Sequence, residues 1–238
     1  MTFKIISIEG NIGAGKTTFM NKLEKSNTDS SIVFVREPVD IWEKYKNRHG
    51  ETLIKKYYEN PQQYSFVFQF VALTTRLKLL KETIEKNKQA KLFICERSLE
   101  TDKEIFAKML HDDGFIDDIM YRVYGEHFND NVINELKLSG IIYINTPTVT
   151  SFNRILQRNR TGEEKITLSY LHRCDIFHNL WFNKCKIPIL KINSEFNQGK
   201  EFMIHRFFQR ILLWNMDNET DGEPEQCKEE KLDVIEVN

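Results

Sequence analysis

Five short apolar runs punctuate the chain, at 3–8, 32–35, 91–95, 141–144 and 189–192. Each holds four to six positions, rich in Ile, Val and Phe, and each ends in polar residues. Apolar-rich runs of this kind, unbroken at 32–35 and 141–144, predict strands buried on both faces of a parallel sheet. Between them the apolar positions recur every three or four residues. That period predicts helices at 15–25, 40–47, 61–88, 101–111, 115–137, up to 157, 167–184 and 200–213. The longest is the clearest. Asn60 is an N-cap, Pro61 takes the first helical position, and Phe66, Phe70, Leu73, Leu77, Leu80 and Ile84 form one stripe. Strands alternating with helices predict an α/β fold, a five-stranded parallel sheet with helices on both faces. Ligands of such folds sit beyond the carboxyl ends of the strands.

Composition adds a boundary. The 238 residues carry a formal net charge of −1. From Asp217 to Asn238 stand nine acidic residues and two lysines, a balance of −7 that leaves +6 on the rest. Residues 1–216 are therefore expected to form one domain, and 217–238 an acidic, disordered tail. A body at +6 suits an anionic small molecule and is too weakly basic to argue for nucleic acid. Cys95, Cys174, Cys185 and Cys227 form no paired motif, so free thiols are expected. No apolar run reaches membrane-spanning length, and no leader pattern stands at the N-terminus. A cytoplasmic protein without a membrane partner is the expectation.

The first predicted strand runs straight into Gly10-Asn11-Ile12-Gly13-Ala14-Gly15-Lys16-Thr17-Thr18, and a helix follows. Gly10, Gly15, Lys16 and Thr17 meet the G-x-x-x-x-G-K-[ST] spacing. Glycines let backbone N–H groups turn inward around phosphate, and the helix N-terminus adds positive potential. Lys16 can reach the outer phosphates, and the Thr17 hydroxyl can ligate Mg²⁺. A nucleoside triphosphate such as ATP, with Mg²⁺, is the expected ligand.

Other polar groups fall at the same strand ends. Glu37 follows the second strand, beside Arg36. It reads either as a salt-bridged carboxylate or as a general base for a hydroxyl attacking the γ-phosphate. Glu96 and Arg97 follow the third; Glu96 could help hold Mg²⁺, and Arg97 could hold Glu37 or a phosphate. Gln69, Ala72 and Arg76 share one helix face, bordered by Phe68. That face is either a solvated seam or a pocket for a base, with Asp102 as charge partner for Arg76. Arg154, Arg158 and Arg160, with Gly162 and Glu163 nearby, are either a solvated helix end or a mobile lid over the phosphates.

Taken in order, these motifs over residues 3–214 resemble the deoxyribonucleoside kinases, the group of the deoxycytidine and deoxyguanosine kinases. The residues that carry the resemblance are the phosphate loop, Glu37-Pro38-Val39 with Trp42, Tyr58, Ser65 to Gln69, Glu96-Arg97-Ser98, Asp102, Phe106 and the arginine lid. The resemblance implies a P-loop kinase fold and transfer of phosphate from an NTP to the 5′-hydroxyl of a deoxynucleoside. It implies Glu37 as base, Arg97 beside it, and Tyr58 and Glu163 on the 3′-hydroxyl. Gln69 would pair with the base edge, and Phe68 and Phe106 would bracket the ring. Ile12, Val39, Trp42 and Ile54 would line the pocket. The trio Ala72, Arg76 and Asp102 is similar to the deoxycytidine and deoxyguanosine kinase pattern, so deoxycytidine, deoxyguanosine or deoxyadenosine is favoured over thymidine. A homodimer is implied as well. Gly162 stands where the family usually has a further Glu, which suggests a looser lid. The alternatives are a nucleoside monophosphate kinase of the thymidylate type and a non-catalytic nucleotide-binding partner subunit.

Overall fold

A computed structural model describes residues 3–132, 136–193 and 201–213, so the acidic stretch 217–238 lies outside the described residues. Five strands are present: β1 (Lys4–Glu9), β2 (Ile32–Val35), β3 (Leu92–Glu96), β4 (Gly140–Asn145) and β5 (Ile189–Asn193). They form one sheet in the order β2-β3-β1-β4-β5, and every neighbouring pair is parallel. β1 lies at the centre, with Ser7 opposite Cys95 on one side and Ile141 on the other. Alternate residues of one strand therefore enter two different cores. Ile5, Phe93 and Ile141 face one layer. Ile6, Ile8, Ile94 and Ile142 face the other, against Phe19 and Met20 of α1 (Lys16–Ser26) and Phe207 and Ile211 of α10 (Glu201–Leu213).

The expected architecture holds, with differences at the edges. β2 was expected to be buried on both faces, yet only Val35 of its four residues is buried. It is an edge strand, and an edge is covered by fewer neighbours. The helix expected over 40–47 is a single turn, α2 (Val39–Trp42), and the chain then makes a small antiparallel contact between Lys46 and Thr52. A helix that the pattern did not suggest follows, α3 (Leu53–Glu59). Thr52 caps it, its Oγ1 accepting from Lys55 N–H at 3.2 Å. The long α4 (Pro61–Lys86) starts where expected, with the Asn60 side chain accepting from Gln63 N–H.

The helix expected over 101–111 is three pieces: α5 (Leu99–Thr101), a wider π-helical stretch Asp102–Ala107, and α6 (Lys108–Asp112). Widening at such a stretch re-aims side chains, and here it covers both Asp102 and Phe106. Beyond it run α7 (Asp118–Val132), α8 (Thr148–Arg158), a 3₁₀ turn at Glu163–Lys165, and α9 (Leu168–Phe182). Cys95, Cys174 and Cys185 are free thiols. No helix among the described residues is long and apolar enough to cross a membrane.

Candidate active site

The phosphate loop joins β1 to α1 and lies directly on α8. A Cβ at Gly13, which sits at φ +78°, would collide with the Ser151 carbonyl and stand 2.9 Å from Ile155 Cγ1. Only glycine permits that approach. Ile12, Gly13, Gly15, Lys16, Thr17 and Thr18 line the cleft; Gly10, Asn11 and Ala14 shape the loop from behind. Lys16 is buried, its Nζ donating to the carbonyls of Gly10 at 3.1 Å and Asn11 at 2.8 Å. Burial, helped by the Arg97 charge, brings its pKa down to about 7.

Thr17 Oγ1 donates to Glu96 Oε1 at 2.5 Å, which joins the first turn of α1 to the end of β3. A hydroxyl and a carboxylate oxygen side by side are hard donors. They fit Mg²⁺, which keeps several waters and phosphate oxygens in its shell and needs few protein ligands. No cluster of three His, Cys, Asp or Glu side chains that could hold a metal ion exists among the described residues.

Glu37 and three cations form the centre of the cleft. Arg76 Nη2 donates to Glu37 Oε1 at 3.0 Å, and Arg97 Nε lies 3.4 Å from the same oxygen. Arg76 also donates through Nε to Asp102 Oδ2 and through Nη1 to the Glu96 carbonyl, each at 2.9 Å. One guanidinium thus holds the ends of β2 and β3 and the π-helical stretch together. Burial works to raise the Glu37 pKa; Arg76, Arg97 and Lys16 overrule it and hold the carboxyl below the usual value. Arg97 takes φ +65°, a costly conformation for a non-glycine residue. It is held there by its N–H on the Ile8 carbonyl and by its guanidinium over the Phe106 ring at 5.0 Å. Its Nη1 is buried without a hydrogen-bond partner, a donor free for a ligand oxygen.

Behind this centre the cleft is aromatic. Phe68 stacks on Tyr57 at 4.7 Å and meets the edge of Trp42 at 5.6 Å. Trp42 is itself tied down, its Nε1–H donating to Thr75 Oγ1 at 2.8 Å. Gln69 and Ala72 are buried on the same face of α4. Tyr57 shares a hydrogen bond with the Tyr170 hydroxyl at 2.9 Å, which links α3 to α9. The lid closes the other side. Arg158 donates to Glu163 Oε2 through Nε and Nη2, at 3.1 and 2.6 Å, and Arg160 lies 3.5 Å from the other oxygen. Gly162 lies between Arg160 and Glu163. At φ +94°, a Cβ there would stand 2.9 Å from Lys55 Cα, so the glycine lets the lid backbone seat on α3.

All these groups surround one cavity of about 740 Å³. Its walls include every residue expected for substrate: Glu37, Trp42, Ile54, Tyr58, Phe68, Gln69, Ala72, Arg76, Arg97, Asp102, Phe106 and Glu163. Val39, Arg154, Arg158 and Arg160 line it too. Tyr57, Gln157 and Tyr170 also line it and were not foreseen. The cap at Thr52 was the available signal for the helix that carries Tyr57. Gln157 and Tyr170 sit in helical patterns that gave no cue to which face meets the cleft.

The sequence profile of the deoxynucleoside kinases matches residues 6–211 of this chain. A probable deoxycytidine kinase of Fowlpox virus is 36% identical over 200 residues, covering 82% of this chain and 80% of the relative. Deoxycytidine kinase 1 of Xenopus laevis is 31% identical, covering 83% and 85%. The mitochondrial deoxyguanosine kinase of the same frog is 30% identical, covering 82% and 83%. The profile spans the phosphate loop and the lid alike, and this chain belongs to the deoxynucleoside kinase family.

Proposed function

We propose that this enzyme transfers the γ-phosphoryl group of ATP to the 5′-hydroxyl of deoxycytidine, deoxyguanosine or deoxyadenosine in preference to thymidine. The observation that carries the reading is the position of Glu37. It sits in the cleft of the phosphate loop, held by Arg76 and Arg97 and close enough to Lys16 to feel its charge. Phosphoryl transfer depends on positioning and charge neutralisation more than on strong bases. A carboxylate kept below its ordinary pKa is ionised at neutral pH and accepts a hydrogen bond from the sugar hydroxyl. It is too weak to strip the proton first, so the proton moves as the new P–O bond acidifies the hydroxyl. Lys16 and the lid arginines draw charge from the transferring group, and Arg97 Nη1 offers a donor to an oxygen beside Glu37. Thr17 and Glu96 would hold Mg²⁺, which would neutralise charge on the donor's phosphates.

For the base, Gln69 offers a paired donor and acceptor, and the Arg76–Asp102 pair fills the space where a thymine methyl would go. A buried ion pair there favours a base with amino or carbonyl groups. Relatives named deoxycytidine and deoxyguanosine kinase support the same preference. Tyr58 and Glu163 line the sugar side of this reading. A homodimer and a cytoplasmic location remain part of the proposal.

A panel of kcat/KM values over the four natural deoxynucleosides, with ATP and Mg²⁺, tests it. Deoxycytidine or a purine deoxynucleoside is expected to lead. Thymidine as best substrate would overturn the role given to Arg76 and Asp102, and activity on monophosphates alone would overturn the acceptor.

A further inference from the structure

We infer that Asp175 is a positioning residue for the phosphate loop, the acceptor that locks the loop's Asn11 to the start of the lid helix. This rests on the reading that the loop holds a triphosphate. Asp175 lies on α9, outside the cleft wall. Its Oδ1 accepts from Asn11 Nδ2 at 2.7 Å, and its Oδ2 accepts from the Thr148 hydroxyl at the first residue of α8. Asn11 is 1% exposed, and its amide is fully engaged. The second N–H of Nδ2 serves the Leu171 carbonyl at 2.8 Å, and Oδ1 accepts from Ile12 N–H at 2.8 Å.

The Asn11 amide is therefore a template for the loop around it. Its oxygen sets the direction of Ile12 N–H, and the Asn11 backbone carbonyl is one seat of the Lys16 ammonium. Take away the carboxylate, and a buried N–H loses its acceptor. The amide then turns, and Ile12 and Lys16 move with it. Thr148 ties the same carboxylate to α8, which touches the loop at Gly13 and reaches the Ala14 carbonyl through Arg154 Nη1 at 3.0 Å. Two donors converge on one side chain, and a carboxylate accepts both, one at each oxygen, with neither partner turned round. An asparagine would turn an NH₂ toward one of them. The negative charge also stands at the N-terminal end of α8, where the helix dipole favours it. The side-chain hydrogen bonds of Asp175 go to Asn11 and Thr148 and not to Glu37, Gln69 or Arg76, so its effect falls mainly on the triphosphate side.

Steady-state kinetics on Asp175→Ala and Asp175→Asn in the full chain test the inference. The KM for the triphosphate should rise about tenfold, while the KM for the deoxynucleoside stays within about twofold. Binding of a fluorescent triphosphate analogue without nucleoside should weaken by the same factor. Asn11→Ala should show the same loss, and Asn11→Ala combined with Asp175→Ala should lose no more than either alone. An unchanged triphosphate KM overturns the inference. So do additive losses in the double variant, and so do equal rises in both KM values with a lowered Tm. If Asp175→Ala does not fold, Asp175→Asn, which keeps size and one acceptor, gives the same readings. If the unaltered enzyme phosphorylates no deoxynucleoside, the proposed function fails, and the analogue-binding comparison still decides the role of Asp175.

Discussion

The two ends of the cleft are built by different means. At the end proposed for the triphosphate, the contiguous stretch 10–18, loop and first turn of α1, presents its backbone, and the side chains around it mainly hold that backbone in shape. Thr146 Oγ1 and Arg154 both donate to the Ala14 carbonyl, and Asn11 is clamped by α9. At the acceptor end no backbone segment defines the site. Glu37, Arg76, Arg97 and Asp102 come from four parts of the chain and meet through side-chain contacts, and Gln69 lines the same cavity. Phosphate is the same in every substrate, so a fixed cradle of N–H groups suffices. A sugar hydroxyl and a base must be aimed and told apart, which takes individually placed side chains.

Glu37→Gln probes that contrast most severely. The amide keeps size and loses the charge, and kcat should fall by about a thousandfold while triphosphate binding persists. Stopped turnover with intact analogue binding is the expected pair of readings; a normal kcat removes Glu37 from its role. Arg76→Ala comes next, because it leaves Asp102 and Glu37 facing each other in a buried site. Breaking such a pair costs on the order of 3 kcal/mol, or roughly 6–12 °C in Tm, and calorimetry reads it. If the two ends are independent, the triphosphate affinity of the folded fraction should change little.

A pH experiment addresses the triphosphate end alone. Lys16 has a folded pKa lowered to about 7, so the empty enzyme holds it partly neutral at neutral pH. Bound phosphates favour the charged form and raise that pKa. Binding should then take up a fraction of a proton near pH 7 to 8, and affinity should weaken as pH rises through that range. Calorimetry in buffers of different ionisation enthalpy measures the uptake, and proton release on binding would contradict the assignment. The smallest effect is expected from Gly162→Ala. Its methyl would press on Lys55 and lift the lid from α3, raising the KM for the deoxynucleoside by about threefold to tenfold. An unchanged KM would mean that the seated lid does not contribute to acceptor binding.

Much of this was legible in the chain itself, for reasons that vary by residue. The strands 3–8 and 141–144 announced themselves because both faces are covered, so most positions are apolar, Lys4 and Ser7 apart. β2 misled, since its residues are as apolar as the others while its place at the sheet edge leaves most of them half-exposed. The loop at 10–18 was readable because its glycines, Lys16 and Thr17 stand at a fixed spacing within one short stretch. The helix at Leu53–Glu59 was not, because Lys55 and Lys56 break its stripe and its stability comes from packing on α4 and the lid. The π-helical stretch at Asp102–Ala107 leaves no mark in an apolar pattern that suits an ordinary helix equally well.

The sequence by itself determined the α/β order, the phosphate loop and most of the side chains that reach the cleft, Tyr57, Gln157 and Tyr170 excepted, because strand ends and glycine turns are local features. Only the tertiary structure decided how those side chains are used. It made Arg76 the shared partner of Glu37, Asp102 and the Glu96 carbonyl, and it held Arg97 at a strained φ. It also set Asp175 beneath the loop as the acceptor for Asn11 and Thr148. Each of these depends on distances between residues far apart in the chain. Hydrogen bonds and charges act over a few ångströms of space, whatever the separation along the sequence.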